Sequence, residues 1–418
     1  MTVAATITPQ FTSDSCLNQP CLSQLDHSEW DVVVLGAGVA GASAAILAAR
    51  SGYRTLLVEA KSFPREKVCG GCLNRRAQAS LERLGVLEKL YKAGAVPITE
   101  LHLRIAKTSV VWKIPTLLSV RRSTLDAELV RAAVEAGAIF VDNVSGFVMP
   151  RLNEISSSDR FRHVTLQHSS STGEQHSIVT SKCILVADGL TRSSLRKESG
   201  WLTDIQPSSR IGVQRMVPAS LFERQTISRG QLHMIVTQDG YVGLSHTDGS
   251  YLDLAGAIDP KSIAKYGGIA RTIDNVLGNG IRTPMVCSVP SETLGDSPGD
   301  WLATPALTRR SRQVASDRVF LLGDSIGYVE PFTGEGMSWA LASAEAVMPI
   351  VGRTLISPWD ASLPQQWTRW VQLQQKRKQK TCWWISRQLR RLTMAAWTLR
   401  LCNTIYPIRE ALIKKVTS

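Results

Sequence analysis

The stretch that most constrains this chain runs from Asp31 to Glu59, DVVVLGAGVAGASAAILAARSGYRTLLVE. An apolar run from Val32 to Leu35 leads into Gly36-x-Gly38-x-x-Gly41, then an Ala-rich helical segment, a turn at Gly52 and a second apolar run ending on Glu59. Strand, turn, helix, strand and acid in that order form a dinucleotide-binding unit. Glycine is needed at Gly36 for the tight turn, at Gly38 for close approach of a pyrophosphate, and at Gly41 for helix-to-strand packing. Backbone N–H groups at the helix start, including those of Val39 and Ala40, would meet the phosphates. Glu59, with Ala60 after it, is placed to bind an adenosine ribose. Residues 32–49 carry no charge, which approaches a membrane span in length, but three glycines at turn spacing argue against one.

A chain of 418 residues exceeds what one hydrophobic core usually supports, so two domains and an appendage are expected. Its eight cysteines contain a single CxxC, Cys69-Gly70-Gly71-Cys72, with no second pair to complete a zinc site, so no metal is expected. Free thiols and the lack of a secretory signal point to a reducing, cytoplasmic compartment. The net charge of +13 is unevenly placed: residues 365–418 hold twelve Lys or Arg against Glu410 alone, leaving +2 for everything before them. Charge therefore describes the tail rather than the body.

Residues 1–30 lack periodicity and read as a disordered leader. After Glu59 comes a charged, Gly-rich loop, Phe63-Pro64-Arg65-Glu66-Lys67-Val68-Cys69-Gly70-Gly71, which would run across a bound cofactor. Thr99 to Pro115 alternates like a hairpin turning near Thr108, and a helix begins at Ser123. Cys183 to Ala187 is a short buried strand ending at Asp188-Gly189, and Val319 to Leu322 another ending at Gly323-Asp324. Between them, from about residue 201 to 301, short alternating strands suggest a separate antiparallel sheet. Strand ends are where ligands of open α/β sheets sit. Asp188 and Asp324 are thus candidates for holding hydroxyls of an extended cofactor. Gly334 and Gly336, just before a helix containing Met337, would let backbone N–H groups approach a group that becomes anionic on reduction, such as a flavin ring.

Together, Gly36-x-Gly38-x-x-Gly41, Ala187-Asp188-Gly189, Gly323-Asp324-Ser325 and Pro331-x-x-Gly334-x-Gly336 resemble the FAD-dependent group that includes aromatic hydroxylases (class A flavin monooxygenases), flavin halogenases and geranylgeranyl reductases. The resemblance covers about residues 30–350. It implies an α/β fold: a Rossmann-like FAD-binding domain of the glutathione reductase type, an inserted antiparallel β-sheet substrate domain, and a C-terminal helical tail. The FAD domain would comprise residues 31–95, 121–200 and 301–355, the substrate domain 96–120 and 201–300, and the tail 356–418. Carried onto this chain, Glu59 would bind the adenosine ribose, Asp324 the ribityl chain, and Arg122, in Arg122-x-x-Leu125-Asp126, the region of the pyrophosphate. The family's serine after Asp-Gly falls one residue late here, at Ser193 rather than at Arg192. Neither Gly-Glu-Ser nor Trp-x-Trp, typical of halogenases, is present, and the loop from Phe63 to Gly71 is closest to the geranylgeranyl reductases. Tyr241-Val242-Gly243-Leu244 departs from the Tyr-x-Trp-x-Phe-Pro of many of those reductases.

The resemblance implies an FAD-dependent oxidoreductase acting on a hydrophobic, prenyl, lipid or polyketide-like substrate. Reduction of C=C bonds leads, with hydroxylation of an aromatic ring as the alternative. NADPH or another reductant would serve as electron donor. Cys69 is a candidate catalytic contact over the flavin, and Tyr241 a candidate for the substrate pocket. In the tail, Ile385, Leu389, Leu392, Ala396 and Leu399 recur at helical spacing among Trp367, Trp370, Trp383, Trp384, Trp397 and the basic residues. That pattern suits either peripheral contact with anionic lipid or a cap packed on the FAD domain. No nucleic-acid module accompanies the charge. A non-catalytic flavin-binding regulator, its tail docked on a partner, is the reading from another class.

Overall fold

The computed structural model describes residues 20–151, 160–170, 173–219, 227–247, 251–278, 301–330, 332, 334–356, 358–389, 395–396 and 399. Two large sheets organise them. The first is ordered Ala315–Ser316, Val319–Leu321, Gly173–Val186, Glu29–Leu35, Thr55–Val58, Ile139–Val141. Its central strands run parallel, with Val34 paired to both Leu57 and Leu185, and Leu321 paired to Val186. Val32, Val33 and Val34 are fully buried, as expected of continuous β-branched runs covered by helices on both faces. Because the strands are parallel and in register, Leu35, Val58, Val186 and Leu321 end in one row. Gly36, Glu59, Ala187 and Leu322 therefore leave the sheet along a single edge.

The helix Val39–Arg50 buries nine of its residues and packs against both Gly336–Leu355 and Arg122–Glu135. Small side chains, Ala42, Ala44, Ala45 and Ala48, permit that approach. Helix Leu363–Leu389 lies on the outer side of Gly336–Leu355 and of strand Val319–Leu321. Trp367 is buried there, and its indole N–H donates to the Leu321 carbonyl at 3.1 Å. Helix Leu363–Leu389 thus caps the first sheet, whereas Ala395 and Leu399 are buried with Leu101, Met234 and Tyr241 of the second sheet. Trp383, Trp384, Trp397 and the basic residues from Arg377 on lie outside the described side chains. No described helix is long and apolar enough to cross a membrane.

The second sheet is ordered Leu302–Ala306, Ile211–Pro218, Tyr251–Ile258, Gly240–His246, Gln231–Val236, Val96–Ile105, Thr108–Ser119, Cys72–Leu73. Period-two alternation gives it two apolar faces. Ile235, Val242, Leu244 and Leu254 face the helix Ile269–Gly278, while Leu101, Leu103, Met234 and Tyr241 face the first domain.

Three expectations are corrected by these elements. Residues 20–30 are not a disordered leader: Leu22–Leu25 is helical, Leu22, Leu25 and Trp30 are buried in the main core, and the first strand starts at Glu29. The second sheet is not wholly antiparallel, because Gln231–Val236 pairs in parallel with Val96–Ile105 after the chain has crossed the first domain. Cys72–Leu73, assigned by sequence to the FAD domain, pairs with Leu118 and Ser119 in the second sheet. This short pairing ties the charged loop to both domains.

Candidate functional site

The edge of the first sheet forms a cradle in which glycine is mandatory at two positions. Gly36 has φ +102°, and a Cβ there would lie 2.6 Å from the Ala187 carbonyl oxygen. A Cβ on Gly41 would lie 1.8 Å from the Gly36 carbonyl oxygen. Gly38 differs, since it is the helix N-cap and what surrounds it is cationic. A Cβ on Gly38 would be 3.6 Å from Arg65 Nη2, 3.8 Å from Lys67 Nζ and 3.9 Å from Arg122 Nη2. Three cations over the positive end of a twelve-residue helix form a receptor for a compact polyanion.

The counter-charges are arranged so that one cation is left over. Asp126, fully buried, accepts from Arg65 at 2.9 Å and from Arg122 at 2.9 Å. Glu59 accepts from Arg65 at 2.9 Å. Burial would depress the Arg122 guanidinium, but the Asp126 carboxylate overrides it and holds Arg122 firmly charged. Lys67 makes no hydrogen bond or ion pair among the described residues; its ammonium sits beside Gly38 and 3.1 Å from where a Cβ on Gly189 would be. Burial lowers its pKa, with Asp324 pulling the other way. Lys67, Arg65 and Asp126 were not singled out by the sequence reading. The signal was available, since three cations flank the turn once the charged loop is folded back over it.

The remaining candidates fall around this cradle. Glu59 accepts from the Ala37 N–H at 3.0 Å and the Lys61 N–H at 3.1 Å, so its carboxylate also fixes the glycine turn. It lines, with Ala60, Gly36 and Lys67, a cleft of about 580 Å³. A second cavity of about 230 Å³ is lined by Gly38, Val39, Ala40, Arg122, Gly189, Gly323, Asp324, Gly334, Gly336, Met337, Cys69 and Tyr241. The two spaces share Lys67, Val68, Ala187 and Thr304 as walls, so together they form one extended trough. Asp188 lines the cleft, and its oxygens accept from the Ser194 N–H at 2.8 Å and the Ser325 hydroxyl at 3.3 Å, which braces two strand ends. Burial raises its pKa. The Asp324 side chain makes no hydrogen bond or ion pair among the described residues and faces the trough. Pro331 lies outside the described residues.

At the far end, the helix Gly336–Leu355 starts against the cavity. Cys69 contacts Met337 Sδ at 4.0 Å, and its backbone N–H donates to Gln214 Oε1 at 3.1 Å. Burial pushes the Cys69 thiol up and, with the Asp253 carboxylate, the Cys72 thiol to about 12, so both cysteines stay protonated and free. Tyr241 packs edge-on to Phe332 at 5.1 Å, and both line the cavity beside Leu101, Leu117 and Met234. Among the described residues no group of three or more His, Cys, Asp or Glu could hold a metal.

The geometry defines a dinucleotide-cofactor trough opening onto an apolar chamber. Residues 31–175 match the family model described as FAD dependent oxidoreductase, and the chain is similar to FAD-dependent oxidoreductases. The cations over Gly38, the glycine approach and the uncommitted Asp324 fit FAD, whose pyrophosphate Arg65, Lys67 and Arg122 would hold. Conditioned medium factor receptor 1 of Dictyostelium discoideum is 23% identical over 77% of this chain, which spans 63% of that protein's length. A menaquinone reductase of Mycobacterium tuberculosis is 26% identical over 81% of each chain. Among solved structures, a flavin-dependent brominase superposes with a TM-score of 0.73 at 19% identity, covering 93% of this chain and 94% of the other. That likeness shows the shared fold.

Proposed function

We propose that this chain uses FAD to reduce a C=C bond of a hydrophobic, lipid-like substrate. One observation carries the reading: the cofactor trough runs without a break into a chamber whose walls are Leu101, Ile114, Leu117, Leu232, Met234 and Leu307. Such a wall admits hydrocarbon and excludes water. FAD, when bound, supplies the hydride such a reduction requires. The residues of the chain do the rest: the glycine cradle and its cations orient the cofactor, and the helix start at Gly336 favours negative charge at the chamber end. Cys69 contributes a neutral thiol at the boundary of cofactor and chamber. The menaquinone reductase relative, alike over most of both chains, supports reduction of a lipid-like molecule. NADPH or another reductant is the proposed electron source.

The aromatic pair Tyr241 and Phe332 suits a planar ring as well, which favours hydroxylation of an aromatic ring as the second reading. The experiment is to reduce the purified flavoprotein with dithionite without oxygen and add a polyprenyl quinone or prenyl lipid. Reoxidation without oxygen, with two hydrogens added across a prenyl C=C bond rather than at a quinone ring, is the expected result; reoxidation only on admitting oxygen, with a hydroxylated product, rules out the reductase. Substrate delivery from an anionic lipid surface through residues 365–418 is proposed with it. Arg369 and Lys376 are exposed on the described part of that segment, whereas Trp367 is buried. Liposome flotation with and without the segment tests this, and equal flotation of both forms rejects it.

A further inference from the structure

A phenol stands where the cofactor trough meets the apolar chamber, and local backbone structure puts it there. Gly323–Ile326 makes a single 3₁₀ turn after strand Val319–Leu321, and its Asp324 faces the trough. Gly327, with φ +135°, then bends the chain into a two-residue strand in which Tyr328 pairs with Arg309. Arg309–Ser311 is itself paired with Thr203–Ile205, so a small third sheet anchors the Tyr328 backbone.

From that anchor the side chain reaches the start of helix Gly336–Leu355. The Tyr328 phenolic oxygen lies 3.6 Å from where a Cβ on Gly336 would be, and ring atom Cε2 lies 3.4 Å from it. Tyr328 lines the same cavity as Asp324, Cys69, Met337 and Tyr241. Its hydroxyl makes no hydrogen bond among the described residues. Burial, and after it the Asp324 carboxylate, push the Tyr328 pKa well above the ordinary tyrosine value, so at neutral pH it is an un-ionised phenol that can donate. Tyr328 is therefore beside both Asp324 and the helix start, where the ring end of FAD would lie. A flavin ring gains negative charge on reduction, and a hydrogen bond to an anion is roughly twice as strong as one to a neutral acceptor.

We propose that Tyr328 donates its phenolic O–H to the ring end of bound FAD and holds the reduced form more tightly than the oxidised one, raising the reduction potential of the flavin. The inference rests on FAD lying in the trough and is independent of which substrate is reduced or hydroxylated. Tyr328→Phe keeps the ring and removes the donor. The preference for reduced over oxidised FAD is expected to fall roughly tenfold, which for a two-electron couple lowers the midpoint potential by about 30 mV. The potential is read at neutral pH without oxygen, from flavin absorbance during slow reduction beside a reference dye. Fluorescence titration of the same variant should give an affinity for oxidised FAD within about threefold of wild type, because the neutral ring loses only a weak bond. Tyr328→Leu also lacks the hydroxyl and should lower the potential in the same direction. A side chain that merely packs would change the affinity for both redox forms alike and leave their ratio within about twofold, about 10 mV in potential. That result in either variant, or a raised potential, overturns the proposal.

Discussion

Replacing Lys67 by Met separates the role of the cofactor cradle from its cost. The ammonium lies about as close to Gly38 as the guanidinium groups of Arg65 and Arg122, yet those two share Asp126 and Lys67 has no such partner among the described residues. A phosphate oxygen at about 4 Å would attract it by at most about 4 kcal/mol at an effective dielectric of about 20. The net value of a hydrogen bond to a charged group is about 1.5 to 3 kcal/mol. Lys67→Met should therefore weaken FAD binding about tenfold to about 100-fold. The sign on the FAD-free protein is opposite. Burial holds the Lys67 pKa below its usual value, so its charge opposes folding below the ordinary lysine range, and that opposition fades as pH rises. Lys67→Met should raise the melting temperature of the FAD-free protein. An anion beside Lys67 restores the proton, so wild-type affinity for FAD should fall from neutral to alkaline pH through the depressed pKa, and the variant should lack that component. Fluorescence titration of FAD-free protein across this range, with calorimetric melting, makes both measurements. A variant that binds FAD within twofold of wild type, or that melts lower without FAD, refutes the reasoning.

Gly41→Val places side-chain atoms where a Cβ alone would meet the Gly36 carbonyl at 1.8 Å, so the purified variant should carry no flavin absorbance. Trp367→Ala removes a buried indole and its bond to the Leu321 carbonyl, and should cost about 3 to 5 kcal/mol in chemical unfolding. An unchanged midpoint would mean that helix Leu363–Leu389 is not docked. His233, stacked on His102 at 4.3 Å, is pushed down to about 4 by burial and by its neighbour. The unfolded chain then binds more protons than the folded one between about 6.5 and 4, so stability should fall as pH is lowered through that window. His233→Phe keeps the stack and should remove most of the slope; a pH profile identical to wild type in urea unfolding contradicts this.

The cofactor-binding half was legible early because its requirements are local. Gly36 takes a positive φ and Gly41 sits against the Gly36 carbonyl, both conditions arising within one turn, and the runs Val32–Leu35 and Val319–Leu322 announce buried parallel strands by composition. Asp188 shows the limit of that logic. Asp-Gly after a strand was readable, but which hydrogen bonds the carboxylate accepts depends on Ser194 and on Ser325, distant in sequence. The start of the fold was misread for a related reason. Leu22 and Leu25 are too few to show a period, and only the strand beside them supplies the core they enter.

The sequence by itself determined that a glycine turn of the dinucleotide-binding kind stands at one edge of a parallel sheet, because glycine spacing and strand hydrophobicity are properties of contiguous residues. Tertiary structure decided the rest. It brought Arg65, Lys67 and Arg122 over one glycine, buried Trp367 of the tail against the first sheet, and set Asp253 and Ser245 in the wall of an apolar chamber with Gln214 beside them. The physical reason is that cross-strand register and loop closure choose neighbours far apart in the chain, and charge and hydrogen bonding act only between groups that folding has already brought within a few ångströms.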